Sequence, residues 1–90
     1  MQYLVKVRVN PATLGLFAAR LQAGGLDRSL IRSETWCLAD DPAVGYSVWE
    51  AADRQEFDQV FGPWKEYYSE SLVREVSSAA ESMRRLMARA

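Results

Sequence analysis

The chain has 90 residues, 49% of them hydrophobic and 26% charged, which suits one small globular domain and excludes a disordered chain. Eleven basic and 12 acidic residues leave a net charge of −1, so the surplus of Lys and Arg that nucleic-acid binding requires is missing. One cysteine and no histidine exclude an internal disulfide, His-based acid/base catalysis, and imidazole ligation of zinc or haem iron.

A domain of this size buries roughly 60–65% of its unfolded surface, so association would add usefully to its core. No apolar run approaches the ~20 residues that span a bilayer. Met1 leads straight into alternating strand residues, with no leader pattern, and a cytoplasmic location is expected.

The first stretch, "YLVKVRV" (3–9), alternates, with Tyr3, Val5, Val7 and Val9 on one side and Leu4, Lys6 and Arg8 on the other. That period predicts a half-buried strand. Asn10-Pro11 then starts a helix over about 11–23, Asn as cap and Pro at the first position, where no N–H is needed. Leu14, Phe17, Ala18 and Leu21 form its apolar face, and Gly24-Gly25 ends it.

"LIRSETWCLAD" (30–40) predicts a second strand with Leu30, Arg32, Glu34, Trp36 and Leu38 on one face. Asp40-Asp41-Pro42 predicts a turn into a third strand, "VGYSVWEA" (44–51). Asp53 with Glu56 has the spacing of a capping box, opening a helix that carries Phe57, Val60, Phe61 and Trp64. Gly62-Pro63 interrupts it before Tyr67 and Tyr68. "SLVREVS" (71–77) predicts a fourth strand. Ser78 and Glu81 then open a last helix with a Met83, Leu86, Met87 and Ala90 stripe. Residues 1–77 read as the domain and 78–90 as a helical extension.

The order β-α-β-β-α-β is the ferredoxin-like arrangement, an α+β fold with helices on one face of a four-stranded antiparallel sheet. Its other face needs a cover, and a second copy packed sheet to sheet would form a dimeric α+β barrel with a cavity between the sheets. "MQYLVKVRV", "YSVWEA" and the strand after an aromatic-rich turn resemble the muconolactone isomerase type of dimeric α+β barrel. Ser33-Glu34-Thr35-Trp36, "WEAADRQEF", Trp64 followed by Tyr67, and "REVSSAAES" are similar to the DUF3303-like bacterial proteins of that superfamily. The resemblance spans about residues 1–80. It implies the fold and a range of activities that includes isomerases, cofactor-free monooxygenases, polyketide cyclases and haem enzymes. The haem branch uses a histidine this chain lacks.

Candidate site residues follow from strand parity. Arg8 and Lys6 would face the inter-sheet cavity and hold an anionic ligand, or serve as exposed or interface cations. Glu34, Trp36 and Arg32 share a face, which suits either a site or an ion pair beside a packed tryptophan. Burial of Glu34 against Trp36 would make it a better general base near neutral pH. Tyr46 and Trp49 lie on opposite faces of the third strand. The accompanying valines favour Tyr46 toward the helices and Trp49, with Ser47, toward the cavity. Glu50 reads as a structural carboxylate at the core rim, paired with a nearby cation or solvated.

Two functions compete. One is a cofactor-independent isomerase, cyclase or monooxygenase acting on a small apolar or aromatic molecule. In it Glu34 is the base, Arg8 stabilises an oxyanion, Lys6, Arg32 and Ser47 help bind the ligand, and Trp36 and Trp49 form the walls. No cofactor or metal is expected. The other is a non-catalytic homodimer that binds a small ligand or assists assembly. "GYSVWEA" superficially resembles a base-stacking strand, but the charge balance argues against RNA, and the terminal helix is a poor membrane anchor.

Overall fold

The computed structural model describes residues 1–25 and 28–89. Strand β1 (Gln2–Val9) leads through a 3-10 turn (Pro11–Thr13) into helix α1 (Leu14–Gln22). Strands β2 (Trp36–Leu38) and β3 (Asp41–Glu50) follow, then helix α2 (Arg54–Phe61) and a second 3-10 turn (Gly62–Tyr67). Strand β4 (Tyr68–Val76) and helix α3 (Ala79–Arg89) complete the chain. The four strands form one antiparallel sheet in the order β2-β3-β1-β4, the ferredoxin-like α+β arrangement. Ala90, expected in the last stripe, lies outside the described residues.

The local signals work as their chemistry requires. The Asn10 side-chain oxygen accepts from the Ala12 N–H at 3.0 Å. Asp53 accepts from the Glu56 N–H at 2.8 Å, and Glu56 reaches back to accept from the Ala52 N–H at 3.1 Å, one residue before the cap. Gly24 adopts a positive φ of 76° just past α1, the left-handed stop that glycine tolerates.

Three strands differ from expectation, and β4 does so by starting at Tyr68, three residues before the expected 71. β2 is three residues long, because the chain bulges before it. Ile31 lies opposite Trp49 and Trp36 opposite Tyr46, so five steps of chain run against three, leaving two extra residues. The Ser33 hydroxyl fills the gap by accepting from the Val48 N–H at 3.1 Å. β3 begins at Asp41, so Pro42 lies inside a strand. The pairing of β3 with β1 stops at Val44 opposite Arg8, and Pro42 has no ladder bond to β1 to lose.

The core lies between the sheet and α2. Tyr3, Val5, Trp49, Ala51, Phe57 and Phe61 form one buried cluster. Trp49 meets Phe57 and Phe61 edge-on, at ring separations of 5.3 and 5.7 Å. Helix α1 buries none of its residues fully and exposes Leu14, Leu16 and Leu21. It is held mainly through Phe17, whose ring meets Trp64, Tyr67 and Tyr68. The radius of gyration is 15.0 Å, against roughly 12 Å for a compact chain of this length. Helix α3 contributes to that extension, with Met83, Leu86 and Met87 exposed along it.

Candidate functional site

The strand register assigns each side chain to a face. Tyr3 opposes Trp49, Val5 opposes Ser47, and Val7 opposes Gly45, so these residues share the helix face. Trp36, Tyr46, Lys6 and Leu72 line up across all four strands on the open face. Trp49 and Ser47 were expected on the open face, and this is corrected. Trp49 is only 4% exposed, packed on α2. The physical reason is area: the indole has the most apolar surface of the strand, and Phe57 and Phe61 provide a matching aromatic seat. Tyr46 takes the open face in its place.

On the helix face the sheet is not filled. Gly45 has no side chain and Ser47 a small one, and α1 stands off the sheet above them. The result is a pocket of about 170 Å³ within the single chain. Its floor is Val5, Val7 and Val9 of β1 with Gly45, Ser47 and Trp49 of β3. Phe17 and Leu21 of α1, Phe61, Trp64 and Tyr68 form the aromatic walls, while Ile31, Arg28, Thr35 and Cys37 close the β2 side. A methyl group added at Gly45 would make ordinary contacts, at 3.6 Å, with the Cys37 sulfur and the Thr35 methyl.

The pocket chemistry is spare. The buried Trp49 indole N–H donates to the Ser47 hydroxyl at 2.8 Å. Burial pushes the Tyr68 phenol up to about 12, so it stays protonated. Arg28 is the charged group of the lining, and among the described residues no carboxylate lines the pocket. No cluster of potential metal ligands occurs among the described residues.

Arg20 braces the wall from behind. Its guanidinium lies 4.5 Å over the Trp64 ring and donates to the Pro63 carbonyl and the Tyr67 hydroxyl, both at 3.3 Å. Sequence reasoning passed over Arg20, although an arginine one turn from Phe17 on α1 was a visible signal.

The other expected site residues are not brought together here. Arg8 pairs with Asp41 at 2.9 Å and with Glu70 at 3.9 Å, and Lys6 pairs with Glu70 at 3.6 Å. No ion pair joins Arg8 to Glu34 among the described residues. Glu34 is exposed and Trp36 is 66% exposed, so the burial that would tune Glu34 as a base is absent from the single chain. Arg32 pairs with Glu50 at 3.8 Å, and Gln2 donates to the same carboxylate at 3.4 Å. Glu50 thus has the expected cation partner. Its position is corrected: it shares the open face with Tyr46 and Gln2, not the core rim.

The chain is similar in fold to the 5-chloro-2-hydroxyhydroquinone dehydrochlorinase of Burkholderia phenoliruptrix. The TM-score is 0.59 at 13% identity, covering 90% of this chain and 98% of that one. It is also similar to an antibiotic biosynthesis monooxygenase, with a TM-score of 0.51 at 13% identity over 87% and 97% of the two chains. The likeness is one of fold. It supports the ferredoxin-like fold and carries nothing for the narrower muconolactone isomerase or DUF3303-like names. No protein-family model and no curated protein matches the chain.

Proposed function

We propose that the chain is a cofactor-independent enzyme, of the isomerase, cyclase or monooxygenase kind, acting on a small aromatic molecule in the pocket beneath its helices. The observation that carries this reading is the aromatic-walled pocket of about 170 Å³ inside one chain. A cavity of ~150 Å³ suffices for a benzene ring. The fold neighbours lend support: one bears the name of a dehydrochlorinase and was captured with 2,5-dihydroxybenzoquinone, the other that of a monooxygenase. A non-catalytic binder of the same ligand class is the competing reading, favoured by the lack of a carboxylate among the described lining residues.

The reading includes a homodimer through the open sheet face. Leu4, Leu72 and Trp36 are all exposed on that face. Lys6, Arg8, Arg32, Glu34 and Trp36 would then serve the contact between subunits rather than the chemistry.

Native mass spectrometry of protein purified without added ligand tests both parts. A dimer carrying a small aromatic mass, lost when Gly45→Val narrows the pocket, is the expected result. A dimer whose extra mass survives that substitution would move the site elsewhere, and a bare monomer would remove the sheet-to-sheet contact.

A further inference from the structure

The polar groups of the pocket differ in what they have left to offer. The Ser47 oxygen already accepts the indole N–H and sits at the sheet floor with only its own proton left to donate, and the Thr35 hydroxyl belongs to an exposed residue on the β2 side. Tyr68 is different. Its ring stands beside two other lining residues, with ring separations of 5.7 Å to Phe17 and 6.0 Å to Phe61. Its hydroxyl has no hydrogen-bond partner among the described residues. No buried polar side-chain atom is left unsatisfied there either, so the Tyr68 oxygen reaches open space.

Arg28 also lacks an ion-pair partner among the described residues, whereas Arg8, Arg20, Arg32 and Arg54 each have one. A neutral donor and an exposed cation with no ion pair among the described residues thus border a mainly apolar cavity of single-ring size. An apolar wall accepts a hydrocarbon ring of any kind. A buried donor beside a cation discriminates among rings, because a ligand without an acceptor displaces water from the hydroxyl and returns nothing.

We propose that the pocket takes a single-ring aromatic bearing a phenolic oxygen, with the ring between Phe17, Phe61 and Trp49, the oxygen directed to the Tyr68 hydroxyl, and Arg28 supplying positive charge that favours the phenolate. This rests on the reading of the pocket as the working site and names its substrate class. Tyr68 is the group that touches the reacting oxygen. It donates its proton into the hydrogen bond and does not abstract one, since burial keeps it protonated.

The test uses fluorine NMR on the intact chain, titrated with 4-fluorophenol and with 4-fluorotoluene, a ring of similar shape without the oxygen. The phenol is expected to bind tighter than the toluene by on the order of tenfold, the worth of one hydrogen bond beside a charge. Its bound form is expected to ionise at lower pH than the free phenol. Tyr68→Phe should abolish most of the preference, weakening the phenol and strengthening the toluene, whose binding no longer desolvates a hydroxyl, and Arg28→Gln should remove the shift in ionisation. Equal affinity for the two ligands, or a preference that survives both substitutions, overturns the phenolic assignment and leaves the pocket in place. Binding of neither ligand overturns the pocket reading as well.

Discussion

The Trp49 indole N–H donates to the Ser47 hydroxyl at 2.8 Å, two residues apart on one strand and on one face of the sheet. The bond satisfies a buried donor and fixes the ring that closes one end of the pocket. Ser47→Ala would leave that N–H unpaired in an apolar setting, which costs about 1–3 kcal/mol. Ser47→Thr keeps the hydroxyl and should recover most of the loss. Urea denaturation of the two variants checks this, and equal stabilities would show that the bond contributes nothing.

Gly45 is the open tile in the pocket floor. Its backbone needs no special conformation, and a Cβ there meets only ordinary contacts. Gly45→Val should therefore fold, fill part of the cavity, and raise stability by about 0.5–2 kcal/mol, as cavity filling commonly does. It should also reduce 4-fluorotoluene binding at least tenfold. Retained binding in a stable variant would place the ligand outside this pocket.

Tyr68 predicts a pH effect of definite sign. Its phenol titrates at about 12 in the folded chain against 10.0 when free. The contribution of the neutral buried ring is fully present below pH 10 and is lost as pH rises through 12. Absorbance at 295 nm should show one of the four tyrosines ionising late, and the late component should vanish in Tyr68→Phe. A wild-type trace that superimposes on that of Tyr68→Phe apart from its amplitude, with no late component, would contradict the burial of this ring.

The Arg8 pairs with Asp41 and Glu70 join half-exposed side chains on the open face. Exposed pairs of this kind are worth ~1 kcal/mol or less. Asp41→Asn should cost no more than that by denaturation and should leave aromatic binding unchanged. Arg8→Glu should instead weaken the homodimer, read by light scattering against concentration. A loss of aromatic binding in Asp41→Asn, with the fold intact, would return Arg8 to the site.

What the sequence revealed was local. The valines of β1, the Asn10 cap and the Asp53–Glu56 box depend on neighbours along the chain, and they are found as read. The parity of β3 was not legible, because both faces of "YSVWE" carry an aromatic. Which one faces the helices depends on how α2, the next element, folds back to bring Phe57 and Phe61 against the strand. The bulge before β2 was hidden for a similar reason: Ser33 substitutes for a backbone partner only once β3 is alongside. The pocket was the least legible feature. It arises from what Gly45 and Ser47 leave out and from an α1 that stands off the sheet, and absent volume has no residue signature.

The central claim is that the working space lies between helices and sheet within one chain, not between two sheets. Crystals of the protein pressurised with xenon test it most directly, since xenon settles in apolar cavities of benzene size. The expected result is an anomalous peak bounded by Val5, Trp49 and Phe61. A peak against Leu4, Tyr46 and Leu72 on the open face, or none in the pocket, would contradict the account.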